Sequence, residues 1–157
     1  MGSGGRRRPF LVELYRSALG KKYVMAITGI IGIGFVISHM IGNLKVYLGT
    51  VTENGQPVYD VDVYGEYLRE ILVPILPRTY FLWILRLVLI GAVILHVHAA
   101  YSLTILNRKA RPVKYQSARD YEIANFASRT MRWTGIVVGL YILFHLADLT
   151  WGTANPD

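Results

Sequence analysis

Three long apolar stretches alternate with segments that are rich in charged and polar residues. They cover residues from about 23 to 44, 79 to 106 and 133 to 151. A membrane-spanning helix needs about 20 predominantly apolar residues, and each stretch is close to this length or exceeds it. The pattern therefore predicts an all-α fold, a transmembrane helical bundle with three spans in one membrane-anchor domain, residues 1–157.

The first stretch has a cleavable signal peptide as its alternative interpretation, because basic residues precede it. It has no charged residue between Lys22 and Lys45. This is much longer than the apolar core of a signal peptide, about 7–15 residues, and no clear small-residue cleavage site follows. We therefore predict a retained span.

Lysine and arginine are unequally divided between the connecting segments. They are concentrated in the N-terminal arm and in the connection 107–132, whereas the connection 45–78 mixes basic with acidic residues. The positive-inside rule places the N-terminus and the connection 107–132 in the cytoplasm. The connection 45–78 and the C-terminus are then outside. Within the outer connection, the sequence ENGQP predicts a turn, and VYGEYLREIL predicts a short helix at the membrane surface.

Composition supports membrane insertion and excludes several kinds of chemistry. The chain is 53% hydrophobic and 17% charged, with a mean hydropathy of +0.35. It has no cysteine, which excludes a disulfide scaffold, a cysteine-ligated iron–sulfur cluster and a thiolate nucleophile within this chain. The net charge of +7 is placed beside the apolar stretches, so we expect no nucleic-acid partner. The sequence also has no P-loop, nucleotide-binding glycine motif or hydrolase triad.

All four histidines lie inside the apolar stretches: His39, His96, His98 and His145. Because an imidazole is costly to place in hydrocarbon, such residues usually mark a functional site. Two of them have matching contexts, since Thr28-Gly29 and Thr134-Gly135 each precede a histidine by ten residues counted from the glycine. This repeat predicts that His39 and His145 are paired axial ligands of one metal centre.

Helical rise gives the depth of each histidine. His39 lies about 25 Å, His145 about 20 Å and His98 about 15 Å from the cytoplasmic boundary of a core about 30 Å thick. The first two therefore face one haem plane in the outer half, and His98 serves a second centre. His96 and His98 point about 200° apart, so one of them has another role.

A bis-histidine haem suits this pattern better than zinc, because no cluster offers three ligands and an open position. Six-coordinate iron favours electron transfer over oxygen chemistry. Ordinary hydrogen bonding between helices is the alternative role for each histidine. Room for a porphyrin, or simply close helix packing, is offered by Gly32, Gly42, Ala99, Ala100 and Gly139.

Polar and aromatic residues at the span ends are candidates for contact with haem propionates or a quinone, with interfacial anchoring as the alternative. The predicted cofactor-binding residues are Arg16, Ser17, Arg86, Tyr101, Arg132 and Trp133. Tyr23, Asp148 and Trp151 are further quinone-contact candidates.

Three segments resemble one family. LYRSALGKKYVMAITGIIGIGFVISHMIGNL, HAAYSLTI and RWTGIVVGLYILFHL are similar to the haem-bearing spans of the diheme cytochrome b anchor of bacterial succinate:menaquinone oxidoreductase. The resemblance implies a subunit of an oxidoreductase complex in the bacterial cell membrane. Flavoprotein and iron–sulfur subunits would bind its cytoplasmic face, and electrons from succinate would reach menaquinone through haem b.

By position, the resemblance makes His39 and His145 the ligands of the distal haem and His98 one ligand of the proximal haem, with His96 as its rival. Family members usually have five spans and a fourth axial histidine. We therefore expect a missing portion, or a further membrane-anchor chain, to complete the bundle. The anchor of a fumarate reductase, or a non-redox membrane protein with hydrogen-bonded histidines, is the alternative function.

Overall fold

A computed structural model describes residues 9–110 and 125–154. The chain divides into two compact units, Met1–Pro112 and Val113–Asp157, and each is described by itself. The expectation of one membrane-anchor domain stays a prediction. Several residues used to predict orientation lie outside the described ranges, namely Arg6, Arg7, Arg8, Arg111, Lys114 and Arg119.

The first unit contains four α-helices and a β-hairpin. Its elements are α1 (Phe10–Arg16), α2 (Ala18–Leu44), a 3-10 turn (Lys45–Leu48), β1 (Thr50–Glu53), β2 (Gln56–Tyr59), α3 (Asp60–Glu70) and α4 (Tyr80–Lys109). In the second unit, α5 (Asn125–His145) continues as a π-helical segment (Leu146–Thr150). The described chain is thus mostly helical.

Among the described residues, three helical segments are long and apolar enough to cross a membrane. They comprise Ala18–Leu48, Tyr80–Lys109 and Thr130–Thr150, with 31, 30 and 21 residues. This finding confirms the three predicted apolar helices and is compatible with a multi-pass membrane protein. The helices extend past the predicted apolar stretches because helical hydrogen bonding continues into their charged ends.

The β-hairpin corrects the expectation of an all-α fold. β1 and β2 pair antiparallel, with Glu53 opposite Gln56. Asn54 and Gly55 between them have φ values of 52° and 79°. Two positive φ angles match a type I′ turn, which suits the twist of a hairpin and favours Asn-Gly. The turn was predicted from ENGQP, but a search for long apolar stretches does not detect strands of four exposed or half-exposed residues.

Helix α3 confirms the short helix predicted in the outer connection. It is joined to the end of α2 by an ion pair of 2.8 Å between Lys45 and Asp60. Glu66 accepts hydrogen bonds from Arg78, which precedes α4, and from Arg69 at 2.7 Å. The Arg78 hydrogen bond is the main reason that the pKa of Glu66 lies below its ordinary value. These charged contacts connect α3 to the segments on either side of it.

Small residues form the interface between α2 and α4. Ala92 and Ala99 are the buried apolar residues of the described ranges, and Thr28 is buried on the facing helix. Small side chains allow two helices to approach closely, which is the usual way that helices associate in a membrane. Most of the large apolar side chains point outward instead, as lipid or protein neighbours in a bilayer require.

A tight corner joins α1 to α2. The Ser17 hydroxyl accepts a hydrogen bond of 2.9 Å from the Gly20 amide and so caps the N-terminus of α2. The buried Lys21 ammonium donates to the carbonyl oxygens of Tyr15 and Arg16, at 3.1 and 3.0 Å. The last carbonyls of α1 are therefore satisfied by the first turn of the next helix.

We predict that Gly20→Ala destabilises this corner. A Cβ atom at Gly20 would collide with the backbone carbonyl of Leu14, which cannot move without shifting α1. Overpacking of this kind costs about 1–3 kcal/mol, so the midpoint of thermal unfolding in detergent should fall. Gly34→Ala is the matched control, because none of the described residues has an atom within 4 Å of a Cβ there. An equal midpoint for the two variants would contradict the steric explanation.

Candidate functional site

His96 is half-buried where α4 faces α2. Its Nδ1 atom lies 3.0 Å from the Thr28 hydroxyl oxygen. That hydroxyl donates its own hydrogen to the Val24 carbonyl oxygen one turn earlier, at 2.6 Å. The contact is a hydrogen bond between the imidazole Nδ1 and the Thr28 hydroxyl, and its direction depends on the tautomer of His96. When the single hydroxyl hydrogen is on the Val24 carbonyl, the imidazole is the donor.

In the tautomer with the proton on Nδ1, the Nε2 atom of His96 keeps an unprotonated lone pair. Metal-bound histidines commonly have this arrangement, in which the nitrogen opposite the metal donates to a neighbouring acceptor. The Thr28 hydroxyl is placed to be such an acceptor.

Gly29 also lies close to the His96 ring. A Cβ atom at Gly29 would lie 3.5 Å from His96 Cε1 and 3.9 Å from Nδ1. Thr28 and Gly29 together, named here the first cradle, hold the ring by one hydrogen bond and one close approach. In the sequence this pair was noted for its distance from His39, but in the structure it contacts a histidine of the neighbouring helix.

His98 contacts α1 instead of α2. Its Nδ1 atom is hydrogen-bonded to the Tyr15 hydroxyl. The two rings are stacked with their centroids 5.8 Å apart, and Lys21 Nζ lies 5.4 Å from the centre of the Tyr15 ring. A tyrosine hydroxyl can donate or accept, so this contact leaves both neutral tautomers of His98 open. His96 and His98 thus contact different helices, in agreement with their predicted angular separation.

His39 on α2 and His145 on α5 have a common local environment. The Phe35 ring lies 5.2 Å from His39 and the Tyr141 ring lies 5.7 Å from His145, centroid to centroid. Each aromatic residue comes four positions before its histidine, which places it on the same helix face. The Asn43 amide nitrogen also lies 3.1 Å from His39 Nδ1.

In the sequence, an aromatic residue comes four positions before each of these two histidines, in addition to the Thr-Gly pair. The prediction did not use this second repeat. It extends the likeness between the two histidine contexts from one feature to two. His39 and His145 belong to different units, so their pairing on one haem stays a prediction.

Tyr15 and Asn43 are functional candidates that the sequence analysis missed. Asn43 follows His39 by four residues and was detectable from helical spacing. Tyr15 is 83 residues from His98 along the chain, and no local pattern connects them. Its position depends on how α1 turns back at Ser17.

The other predicted cofactor-binding residues are at the helix ends or on outer surfaces. The Arg86 guanidinium lies over the Trp83 ring, 5.0 Å from its centroid, which stabilises the cation without a carboxylate. Ser17 serves the corner described above. The remaining residues of the set are exposed in their units: Arg16, Tyr101, Arg132 and Trp133. Their contacts with a cofactor stay predictions.

Within the described ranges, no group of three or more histidine, cysteine or acidic side chains is placed to hold a metal ion. A site made only of clustered protein ligands is therefore not formed there. A haem needs fewer protein ligands, because its porphyrin supplies four donors and the protein supplies the axial ligands.

We predict that Thr28→Val changes the protonation of His96 while preserving the shape of the first cradle. Loss of one hydrogen bond of about 1 kcal/mol shifts the ratio of the two neutral tautomers about fivefold. Nitrogen NMR of histidine-labelled protein in bilayers can measure this ratio, because the chain has only four histidines. Thr28→Ser should keep the native signal, and Thr134→Val should leave it unchanged. An unaltered His96 signal in Thr28→Val would show that the hydroxyl does not fix the tautomer.

Comparisons with protein-family models, curated proteins and solved structures find no match to this chain. The assignment of a function therefore depends on the histidines, their contacts and the apolar helices that carry them.

Proposed function

We propose that this chain is the haem b-binding membrane anchor of a bacterial succinate dehydrogenase, and that it relays electrons from the iron–sulfur subunit to menaquinone. One observation carries the proposal: each of the three long apolar helices has a histidine whose ring contacts a neighbouring side chain. Held imidazoles at membrane depth are the donor set that a haem requires.

The donor chemistry fits a b-type haem. Bound haem supplies reversible one-electron transfer at its iron. The chain contributes imidazoles on apolar helices and orients them by hydrogen bonds and aromatic contacts. The exposed apolar side chains on α2 and α4 support the same proposal, because a flat apolar group and lipid both require such a surface.

His39 and His145 are the proposed axial ligands of one haem. They have the two repeated features already described, the Thr-Gly pair before them and the aromatic residue four positions earlier. The aromatic contacts limit the rotation of each imidazole, and a fixed ring plane favours a stable ligand geometry. Their estimated depths also place both in the outer half of the membrane.

For the second haem, the contacts favour His96 over His98. The first cradle holds the His96 ring between two helices, and its threonine oxygen is placed to accept from Nδ1. His98 is exposed and stacked on Tyr15, whose hydroxyl is hydrogen-bonded to His98 Nδ1. His98 with Tyr15 is then a polar pair at the boundary between α1 and α4, and the second ligand of this haem comes from outside the described residues.

The proposed orientation keeps the basic ends of the spans in the cytoplasm. The flavoprotein and iron–sulfur subunits bind that face, and the outer connection with its hairpin and α3 lies on the other side. The aromatic and basic residues at the helix ends, Tyr101 and Trp133 among them, are the proposed contacts of menaquinone and of haem propionates.

We predict a b-type absorption band in the purified complex and its partial loss in His39→Ala and His145→Ala. Removal of either ligand leaves the other unable to complete six-coordinate iron, so both variants should lose the same one haem. A reduced-minus-oxidised spectrum and the haem-to-protein ratio measure this loss. Ser38→Ala is the matched control, since it changes a side chain beside His39 that only donates to the Gly34 carbonyl. A complex with no b-type band would defeat the proposal, and unchanged haem content in both variants would show that the pairing is wrong.

We predict that His96→Ala removes the second haem and that His98→Ala keeps it. The reason is that the Thr28 oxygen is placed to accept from Nδ1 of His96, an arrangement that would leave Nε2 to the iron. Redox titration of the complex should then show one component in His96→Ala and two components in His98→Ala. The reverse result would assign the ligand to His98 and make His96 a packing residue.

A further inference from the structure

The segment that joins α3 to α4 contains an uninterrupted apolar loop. Residues 71–77 have the sequence ILVPILP, without a polar side chain. Three of its large side chains are exposed, Leu72, Val73 and Ile75, and Ile75 keeps 81% of its surface accessible. Exposure of neighbouring apolar side chains to water is unfavourable and usually marks a surface with a partner.

Polar contacts close the base of this loop. The Thr79 amide donates to the Arg69 carbonyl oxygen at 2.7 Å, which joins the two ends of the loop. The Arg78 guanidinium pairs with the Glu66 carboxylate and lies 3.7 Å from the Glu70 carboxylate. These charged side chains are all at least half exposed. The loop therefore has a charged base and an apolar tip, which is the division that a membrane surface favours.

The backbone of the loop is also suited to an apolar environment. The Val73 amide donates to the Glu70 carbonyl oxygen at 2.9 Å, and the Leu76 amide donates to the Leu72 carbonyl oxygen at 2.8 Å. Ile71 donates to a carbonyl of α3, and the two prolines have no amide hydrogen. Five of the seven residues thus need no acceptor from water. A segment that enters hydrocarbon must satisfy its backbone donors internally or lack them.

Contacts of α3 place the loop beside the ends of two long apolar helices. Tyr64 packs on Gly42 near the end of α2, where a Cβ atom would lie 2.7 Å from the tyrosine ring. Lys45 Nζ lies 5.4 Å from the centroid of the same ring. Tyr80, the first residue of α4, follows the base of the loop directly. The apolar tip is therefore close to the level at which α2 and α4 leave the bilayer.

We propose that residues 71–77 form a membrane-inserted loop. Its tip, Leu72, Val73 and Ile75, enters the acyl-chain region of the leaflet in which α2 ends and α4 begins, while the ion pairs at its base stay at the headgroups. The insertion anchors α3 along the membrane surface. It requires only that α2 and α4 cross a phospholipid bilayer, and it does not depend on the proposed haem function.

A protein partner suits this loop less well than lipid does. Interfaces between proteins have a polar rim and about one hydrogen bond for each 100–200 Å². Residues 71–77 have no polar side chain to form such bonds, and the two prolines remove two backbone donors. Lipid tails need only an apolar surface, which the tip provides.

Fluorescence quenching tests the insertion, because the chain has no cysteine and a single label can be attached at a chosen position. Val73→Cys and Ile75→Cys carry an NBD label at the exposed tip. Asp62→Cys is the control, since it carries the label at an exposed position of α3 outside the loop. The protein, with the subunits that copurify with it, is reconstituted in phosphatidylcholine nanodiscs, which leave both membrane faces open to solvent. Iodide quenches a label in water, and phosphatidylcholine with a nitroxide on its acyl chain quenches a label in lipid.

Both labels on the tip should lose emission with the nitroxide lipid and resist iodide, and the Asp62→Cys label should show the reverse. Quenching of the tip labels by iodide would place the loop in water and overturn the insertion. Protection of the tip labels from both quenchers would mean that protein covers the loop, which would overturn it as well.

Haem content is measured on the same nanodiscs to separate the two proposals. Tip labels in lipid without a b-type haem would defeat the proposed function and leave the insertion in place. A haem-containing complex with its tip labels in water would do the opposite.

Discussion

The hydrogen bond between His96 and Thr28 connects the two long helices of the first unit and orients the imidazole that it holds. It lies on the face of α4 that also carries the buried residues Ala92 and Ala99. A polar group in hydrocarbon must find its partner within the protein, so this contact favours one register of the two helices over its neighbours.

The corner between α1 and α2 also depends on a buried polar group that must find partners within the protein. Lys21 would be costly to bury as an unpaired charge, and it is accepted because two carbonyl oxygens and the Tyr15 ring surround it. In fixing the corner, it also positions the Tyr15 hydroxyl against His98. His96 and His98 on α4 therefore have different environments, one beside Thr28 of α2 and the other beside Tyr15 of α1.

The described units bury few large side chains. A lipid bilayer as the surrounding solvent explains this. In a bilayer, apolar side chains gain nothing from leaving lipid for a protein core, so helices associate through small residues and a few polar contacts.

The three long apolar helices, the turn of the hairpin and the position of every histidine within those helices could be predicted from the sequence, since these depend on hydropathy and local backbone preference. It also contained the Thr-Gly repeat, but it could not tell which histidine the repeat contacts. Only the tertiary structure assigned Thr28 and Gly29 to His96 and Tyr15 to His98, because those contacts join residues 68 and 83 positions apart. Such pairings depend on helix register and on the angle of the corner at Ser17, which no local pattern of residues specifies.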